Sequence, residues 1–504
     1  MDSCLFSRCA RIVVLVSLIR SFAVKMLFPK DVRQATIVFN SYLLLHLCSD
    51  LVNRLLREAW MLAIEALSWM EMRRLSEPLA LAKTIRQLNI QDRDAIRLAR
   101  LLVVETVRRR NFIDTFINIA MKPANLSHFS LGIQAFLRLY VYQTRFAKNW
   151  SRIDLNEAEN TVRLARSILG WRTLQPIEPF LGLLLTQKPA VVLEQKNDVA
   201  RVGLQTFHPA WFVEYCFKLF GRKEATAILE SDISPPPLCV GLNTLKAEAN
   251  EILGRLNQDG IEVEKIEQST STYKITKAGK PVIKTDCFKE GLIHVEDKAE
   301  SFVAEAASPA KGMTVLDVCC APGKTTTHLG QLMQNEGLIV SVDYSKRRIA
   351  GWKKEVQHAG VKIAEPIIAD ASNPLPSNVE ADLVVLDPPC TGTGMFSRLP
   401  SFKWRLTPRS IDRMADVQWR MLDNCAGYVK PNGTLAYSTS SITVEENEML
   451  VEKFLKWHAE FSLVEISPRR GSPGLRGLDK CQRLYPHIHH CNGLFVAKLS
   501  KSKD

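Results

Sequence analysis

The sequence predicts an α/β protein: a carboxyl-terminal doubly wound parallel sheet preceded by a small α+β unit and an all-α unit. After residue 312, four apolar runs end at or near the acidic residues Asp317, Asp343, Asp370 and Asp387. A tight turn at Gly323 and a helical pattern follow the first run. Parallel strands bring their carboxyl ends to one edge of a sheet, where nucleotide-like ligands bind. The four runs therefore predict one ligand site at that edge.

The preceding residues divide into three parts. Residues 31–175 are predicted to be helical, because apolar residues recur every three or four positions in segments such as LVNRLLREAWMLAIEAL. Prolines between 176 and 200 indicate a linker. Residues 201–300 mix helical and strand patterns, which is typical of a small α+β domain, and residues 301–504 carry the α/β pattern.

Residues 1–30 are predicted to be a separate extension, either disordered or upstream of a true start at Met26. Their apolar run Ile12–Ile19 is shorter than the about 20 residues that cross a bilayer. No small-residue cleavage site of a secretory signal is evident. We therefore expect no membrane association and a cytoplasmic location.

The composition favours a polyanionic partner. There are 66 Lys and Arg against 53 Asp and Glu, a formal net charge of +13. A basic balance of this size is typical of proteins that bind nucleic acid. The 12 cysteines show no regular framework, which indicates free thiols in a reducing compartment.

An ordered series of motifs narrows the function. VLDVCCAPGKTTTH, VDYS, LDPPCTGTG, YSTSSITVEENE and RLYPHIHHCNGLFVAKL follow one another along the chain. Together they resemble the RsmB/Sun family of RNA cytosine carbon-5 methyltransferases, which use S-adenosylmethionine. FKEGLIHVEDKAES, PPPLCVGLNTLK and the helical region up to Gly170 extend the resemblance to about residues 50–500. It implies a Rossmann-like methyltransferase domain over 301–504, an RNA-binding α+β domain over 201–300 and an all-α NusB-like RNA-binding domain over 31–175.

The resemblance implies a cofactor site for S-adenosylmethionine around the first turn. Asp343 would hold the ribose, Asp370 would face the adenine, and Asp387 would lie beside both cofactor and base. The turn that would meet the methionine end consists of Cys319, Cys320, Ala321, Pro322, Gly323, Lys324 and Thr325. In the family a Gly-Gly-Lys stands here, so Lys324 lies one place early and its role is open.

The nucleophile is the main departure from the family. Members carry one cysteine after the Pro of the fourth motif, which is Cys390 here, and a second in a Thr-Cys-Ser turn that usually attacks the base. The second position is Ser440 in this chain. Three hypotheses follow: Cys390 attacks carbon 6, as the corresponding cysteine does in DNA cytosine-5 methyltransferases; Ser440 is activated by an unidentified base; or the chain binds RNA without methylating it. In the first two, Asp387 would stabilise the ring nitrogen or its proton.

Other functions fit less well. Asp387-Pro388-Pro389 resembles the motif of amino-group methyltransferases, but these need an aromatic residue where Cys390 stands. A non-catalytic RNA-binding ribosome assembly factor that keeps the fold is the main alternative, because of Ser440. The resemblance favours ribosomal over transfer RNA, and we expect a monomer. No metal is expected: adjacent Cys319 and Cys320, and the group Cys481, His487, His489, His490 and Cys491, have no metal-ligand spacing.

Overall fold

The computed structural model describes residues 32–147, 154–194, 196–267, 269–376 and 378–503, with side chains from residue 51 onward. The chain forms two compact units, Met1–Glu194 and Gln195–Asp504. The extension predicted over residues 1–30 lies outside the described residues. Within the described ranges, no helix has the length and apolar character that a membrane crossing requires.

The first unit is helical throughout its described residues. Its core contains the aromatic side chains of Trp60, Phe116 and Phe136, which are at most 3% exposed. The buried Arg138 guanidinium donates to Asp114 at 2.7 and 3.0 Å and to Glu71 at 3.1 Å, which compensates its charge. The helices are α1 (Val32–Arg73), α2 (Glu77–Leu88), α3 (Arg93–Arg108), α4 (Arg110–Ala120), α5 (Leu131–Val141), α6 (Leu155–Leu169), α7 (Trp171–Leu174) and α8 (Glu178–Thr186).

The linker predicted over residues 176–200 is wrong for its first part. Residues 178–186 form α8, which buries Leu181, Leu184 and Leu185 in the helical unit. The Tyr140 hydroxyl donates to the Leu181 carbonyl at 3.3 Å. Pro179 lies in the first turn of α8, where a missing N–H costs nothing, so this proline starts a helix and does not interrupt one.

The second unit begins with three helices, α9 (Asp198–Gln205), α10 (Ala210–Phe220) and α11 (Arg222–Ser231). A four-stranded antiparallel sheet follows, with strand order β2-β3-β1-β4. Its apolar face, which includes Val240 and Leu242, packs against Ile252 and Leu256. The elements are β1 (Cys239–Leu242), α12 (Ala249–Gln258), β2 (Ile261–Lys265), β3 (Thr272–Ala278), α13 (Asp286–Lys289) and β4 (Ile293–Glu296).

A nine-stranded mixed sheet forms the carboxyl-terminal part. Its order is β11-β12-β13-β9-β8-β5-β6-β7, with β10 paired to β13. The strands are β5 (Thr314–Val318), β6 (Leu338–Asp343), β7 (Ala364–Ile368), β8 (Ala381–Leu386), β9 (Val429–Thr439), β10 (Phe461–Leu463), β11 (Ser472–Pro473), β12 (Gln482–Leu484) and β13 (Leu494–Lys501). The helices are α14 (Lys298–Ala307), α15 (Lys324–Leu332), α16 (Lys346–Ala359), α17 (Ser401–Arg405), α18 (Pro408–Ala426), α19 (Glu448–Trp457) and α20 (Pro486–His489).

The central strands of this sheet are parallel and covered on both faces. β5 pairs with β6 on one side and with β8 on the other. Along β5, Val315 packs in one core cluster with Phe302 and Leu329, and Leu316 packs in another with Leu422 and Phe454. The chain winds outward from β5 in both directions, so a topological switch point lies between β5 and β8. The predicted fold class is confirmed.

A buried ion pair stabilises the chain after β9. Arg483 on β12 donates through Nε to Glu448 Oε1 at 2.6 Å and through Nη1 to the Ile442 carbonyl at 2.9 Å. The two charged side chains are 1% and 0% exposed. With water excluded, each charge depends on its partner and on nearby peptide groups for compensation.

We predict that Arg483→Met lowers the free energy of unfolding by about 3–5 kcal/mol, because it leaves the Glu448 charge buried and uncompensated. Urea denaturation followed by circular dichroism measures the change. The control is Arg476→Met, which removes the exposed pair with Glu452 (2.9 Å) and should cost about 1 kcal/mol or less. Equal losses in the two variants would contradict this account.

Candidate active site

The turn between β5 and α15 is closely packed. Gly323 has a φ of +119°, and a Cβ placed there would lie 3.2 Å from Trp352 Cδ1 and 3.3 Å from Glu355 Cβ. Glycine is therefore required both for the backbone conformation and for the approach of α16. The Cys320 N–H donates to the Val342 carbonyl at 3.0 Å, which joins the turn to β6. The turn presents the first helical N–H groups of α15 at the switch point.

A buried acid lies beneath this turn. Asp317 is 1% exposed and accepts a hydrogen bond from Thr326 Oγ1 at 2.5 Å. The Trp352 indole donates to the same hydroxyl at 2.8 Å. Burial, opposed by the Thr326 hydrogen bond and assisted by the charges of Asp387 and Asp343, raises the pKa of Asp317 to about 7. Three carboxyl groups thus lie close together at one edge of the sheet.

Asp343 ends β6 at the expected edge, 2% exposed. Its Oδ1 accepts from the Ser345 N–H at 3.1 Å. Its Oδ2 accepts no hydrogen bond among the described residues and lies 3.2 Å from Arg348 Nη1. Arg348 also donates to the Ala321 carbonyl, so one guanidinium joins Asp343 to the turn. The buried Oδ2 has acceptor capacity left for a ligand hydroxyl.

Lys324 is directed toward α14. Its Nζ lies 2.6 Å from Glu300 Oε2. Glu300 in turn is close enough to Asp387 to raise the pKa of that carboxyl. Lys324, which lies one position before the family's lysine, therefore forms an ion pair at the edge of the site, near Asp387.

Asp370 lies apart from the other acids. It follows β7 by two residues and is exposed. Its Oδ1 accepts from the Ser372 N–H at 3.0 Å and hydroxyl at 2.6 Å, and these bonds lower the pKa of its carboxyl. The side chain thus stabilises its own turn, and a contact with an adenine stays a prediction.

Asp387 and Cys390 follow β8. The Asp387 N–H donates to the Val318 carbonyl at 3.4 Å, beside the turn. Burial, with a smaller contribution from the charge of Glu300, raises the pKa of Asp387 to about 7 against the opposing effects of Ser438 and Arg348. Burial also raises the pKa of the Cys390 thiol far above its usual range. The Cys390 thiol is therefore protonated at neutral pH, and the Asp387 carboxyl holds its proton to a higher pH than an ordinary aspartic acid does.

The loop after β9 lies against the Cys390 loop. The Gly394 N–H donates to the Ser440 carbonyl at 2.9 Å. The N–H groups of Ser440 and Gly392 face the Cys390 thiol and oppose the rise of its pKa, whereas the charges of Glu446 and Asp387 add to it. The Ser440 hydroxyl makes no hydrogen bond to another side chain among the described residues. Both candidate nucleophiles thus line one site.

Glu446, which sequence reasoning missed, joins these two loops. It is 0% exposed. Its carboxylate accepts five hydrogen bonds: from Thr391 N at 2.8 Å and Oγ1 at 2.5 Å, Ser441 Oγ at 2.6 Å, Thr443 Oγ1 at 2.8 Å and Gln418 Nε2 at 2.9 Å. Glu446 belongs to the quoted TVEENE run, but no sequence signal shows that this acid is buried. It fixes the Cys390 loop relative to the Ser440 loop.

Helices before the small sheet also support both loops. The Tyr215 hydroxyl on α10 donates to Glu445 Oε2 at 2.6 Å and accepts from the Val444 N–H at 3.1 Å. Phe396, in the loop after Cys390, packs at 5.3 Å from Phe212, also on α10. Residues 184 positions apart (Phe212 and Phe396) and 230 positions apart (Tyr215 and Glu445) therefore hold the site together.

In the described part of the chain, no three His, Cys, Asp or Glu side chains are arranged to hold a metal ion. His487 Nε2 lies 2.6 Å from Glu224, and the Tyr485 N–H donates to His489 Nδ1 at 2.8 Å. Cys481 and Cys491 are buried free thiols.

Comparison with known proteins identifies the family. Residues 304–500 match the family described as "16S rRNA methyltransferase RsmB/F", and residues 208–281 match its "ferredoxin-like domain". The "Probable ribosomal RNA small subunit methyltransferase B" of Bacillus subtilis is 28% identical over 455 residues, 87% of this chain and 98% of that protein. The chain belongs to the RsmB/F family. The resemblance inferred from the motifs is confirmed.

Further relatives agree with this assignment. The "tRNA (cytosine(72)-C(5))-methyltransferase" of Pyrococcus horikoshii is 33% identical over 218 residues, 43% of this chain and 54% of that protein. The crystal structure of PH0851 superposes with a TM-score of 0.75 at 29% identity, covering 88% of this chain and 99% of that one. This RsmB/F chain is therefore an RNA methyltransferase by family.

We predict that Asp387→Asn stabilises the protein at high pH. The folded pKa of about 7 exceeds the ordinary value of 3.8, so the folded state binds the extra proton and stability falls as pH rises between these values. Asn removes this penalty, and the variant should gain about 1–3 kcal/mol of unfolding free energy relative to wild type between pH 5 and pH 8.

The control for this prediction is Asp382→Asn, on the strand β8 that precedes Asp387. Burial acts to raise the pKa of Asp382, but hydrogen bonds from Lys430 and the Thr314 N–H outweigh it and lower the pKa. Its ionised form is therefore stabilising, and the Asn variant should lose stability at neutral pH. Urea denaturation at pH 5 and pH 8 measures both; a pH-independent effect of Asp387→Asn would refute the assigned pKa.

Proposed function

We propose that this chain transfers a methyl group from S-adenosylmethionine to carbon 5 of a cytosine in structured RNA, with Cys390 as nucleophile. The supporting observation is the position of the Cys390 thiol: beside Asp387 and facing the Ser440 N–H, at the switch point that also carries the 319–325 turn. The name of the Pyrococcus horikoshii relative, a tRNA (cytosine(72)-C(5))-methyltransferase, supports the choice of cytosine carbon 5.

The residues at the switch point fit this cofactor. The turn at Gly323 leaves no space for a side chain. The buried Oδ2 of Asp343 can accept a hydrogen bond from a ribose hydroxyl. The cluster of Asp317, Asp343 and Asp387 creates a negative site that suits a sulfonium cation. When bound there, S-adenosylmethionine supplies an electrophilic methyl group.

Cys390 would make carbon 5 reactive. Its sulfur forms a bond to carbon 6 of the cytosine, and the electron pair of the carbon 5–carbon 6 double bond moves toward carbon 5. Attack requires the thiolate. The Ser440 and Gly392 N–H groups favour that form, and a bound cation beside the acids favours it further. After methylation, loss of the carbon 5 proton restores the double bond and expels the thiolate.

Asp387 would supply the proton for ring nitrogen N3. A carboxyl group with a pKa of about 7 holds or releases a proton at neutral pH, which suits a general acid and base. During attack the thiol loses one proton and N3 gains one, so this step releases no net proton. When Cys390 leaves, N3 returns its proton, and the net reaction releases only the proton from carbon 5.

The surroundings of Ser440 favour Cys390 over the serine. Attack by a hydroxyl needs a base within hydrogen-bond reach. The nearby carboxylate, Glu446, accepts from Ser441 at 2.6 Å and from no Ser440 atom. We therefore assign to Ser440 a role through its backbone N–H, beside the thiol.

The RNA substrate is most consistent with ribosomal RNA. The Bacillus subtilis relative, which this chain covers almost completely, is named for the small ribosomal subunit. The net charge of +13 supports a polyanionic substrate of this kind. A NusB-like RNA-binding role for residues 31–175, monomeric state and cytoplasmic location belong to the same proposal.

Ser440 also favours a second candidate, a non-catalytic RNA-binding factor that keeps the methyltransferase fold. The family's attacking thiol is missing, and the retained Cys390 is protonated in this state. Absence of methyl transfer by purified protein to any ribosomal RNA, despite cofactor and RNA binding, would establish this alternative.

We predict that Asp343→Ala weakens S-adenosylmethionine binding by about 1–3 kcal/mol, the usual cost of a hydrogen bond to a charged group. Isothermal titration calorimetry measures the change. The control is Asp370→Ala, whose carboxylate is exposed and bonded within its own turn, so its effect should be smaller. Unchanged affinity in the Asp343 variant would remove this residue from the cofactor site.

We predict that Cys390→Ala abolishes methylation and that Ser440→Ala retains most of it. Tritium transfer from labelled S-adenosylmethionine to an unmodified small-subunit ribosomal RNA transcript measures the activity. A transcript containing 5-fluorocytosine should form a covalent complex with wild type and with Ser440→Ala, but not with Cys390→Ala. An active Cys390→Ala variant rules out the assignment.

The companion variant Ser440→Cys restores the family's residue. If wild type is active and Ser440→Cys is no more active, Cys390 fully replaces the usual nucleophile. A large gain would mean that the chain lost its usual attacking group without fully replacing it.

A further inference from the structure

The solvent-exposed side of α16 carries a dense set of cations. Its opposite side is buried: Ile349, Trp352 and Val356 pack with Cys320 and Ala321 of the cofactor turn. The exposed side holds four basic residues one or two turns apart, which we name the cationic face: Lys346, Arg347, Lys353 and Lys354.

These four cations make no ion pair or side-chain hydrogen bond within the described residues. Other exposed lysines of the same unit do: Lys277 pairs with Glu262 at 2.7 Å, Lys289 with Asp286 at 2.7 Å and Lys311 with Glu336 at 2.9 Å. The cationic face is therefore not part of the protein's own network of surface charges.

Helix stability does not account for these residues either. Lys346 and Arg347 occupy the first turn of α16, which contains no acid. The positive end of the helix dipole lies there and disfavours cations. An external anion bound at this end would be attracted both by the side chains and by the dipole.

Small residues lie between the charges. Ala350 and Gly351 are exposed, and a Cβ at Gly351 would meet no atom within 4 Å. Packing therefore does not require glycine, and glycine weakens an exposed helix. Gly351 leaves the helix backbone uncovered between Arg347 and Lys354, and an extended chain can approach closely there.

We propose that the cationic face binds the sugar–phosphate backbone of the RNA strand that delivers the target base. This inference rests on the proposed RNA methylation and adds a surface that binds the RNA substrate. The helix begins three residues after Asp343, at the sheet edge that carries Asp387 and Cys390. The cationic face extends over about 12 Å at 1.5 Å per residue, enough for more than one phosphate.

The shape and chemistry favour RNA over a lipid surface. A helix that lies in a membrane interface presents an apolar side to the lipid, but the apolar side of α16 is buried in the core. A polyanion with evenly spaced charges needs only the exposed cations and the open backbone between them.

The test is the salt dependence of RNA binding by the full-length quadruple variant Lys346→Gln, Arg347→Gln, Lys353→Gln and Lys354→Gln. The probe is an unmodified small-subunit ribosomal RNA transcript in a filter-binding assay. The slope of log K against log salt should become shallower by about 0.7 for each lost phosphate contact with a single strand, so by about 2 to 3 in total. The dissociation constant should rise at least tenfold at the lowest salt concentration.

The matched control removes the same charge elsewhere in the methyltransferase domain, at four cations that already have a partner in the fold: Lys311→Gln, Lys430→Gln, Arg476→Gln and Lys480→Gln. Its slope should stay near wild type. An equal change in both quadruple variants would show a net-charge effect and overturn the proposal, as would an unchanged slope in the α16 variant. Loss of binding to phosphatidylserine vesicles or polyglutamate with unchanged RNA binding would also overturn it.

Gly351 provides a second test that is independent of charge and of folding defects. Gly351→Leu should melt no lower than wild type, because leucine favours helix, and should nevertheless bind the transcript several-fold more weakly. Gly351→Ala should bind like wild type. Leu and Ala variants with equal RNA affinity would contradict close approach at Gly351. Because binding is measured without methyl transfer, failure here is distinct from failure of the proposed reaction.

Discussion

The buried carboxylate of Glu446 is the interaction on which the site depends. It accepts hydrogen bonds from Thr391 in the loop that carries Cys390 and from Ser441 and Thr443 in the loop that carries Ser440. A carboxylate that lost these donors would keep its charge in a desolvated position, at high cost. The two loops therefore hold their positions together, and the thiol keeps a fixed environment.

The same edge of the sheet concentrates negative charge. Asp317 and Asp387 both have a pKa raised to about 7, because burial penalises their ionised forms. This arrangement is unfavourable for stability without a cation, and it is favourable for binding one. Burial, together with the charges of Glu446 and Asp387, also raises the pKa of the Cys390 thiol.

Part of the support for the site comes from outside the methyltransferase motifs. Tyr215 on α10 and Glu446 are separated by 231 positions, yet they stabilise one loop through adjacent residues. One side of helix α16 packs under the cofactor turn, and the other side, the cationic face, is exposed to solvent. The helix that shapes the cofactor site is thus also exposed for contact with a large ligand.

The sequence by itself determined the parallel strands, the Gly323 turn, the acids at the strand ends and the replacement at Ser440, because these follow from local apolar patterns and from motif order. It misjudged residues 176–200, because a proline that starts a helix has the same signature as one in a linker. Only the tertiary structure decided that Glu446 is buried between two loops, that Tyr215 reaches the site and that Asp370 is exposed. Burial and long-range hydrogen bonding decide these features, and neither is encoded in the spacing of neighbouring residues.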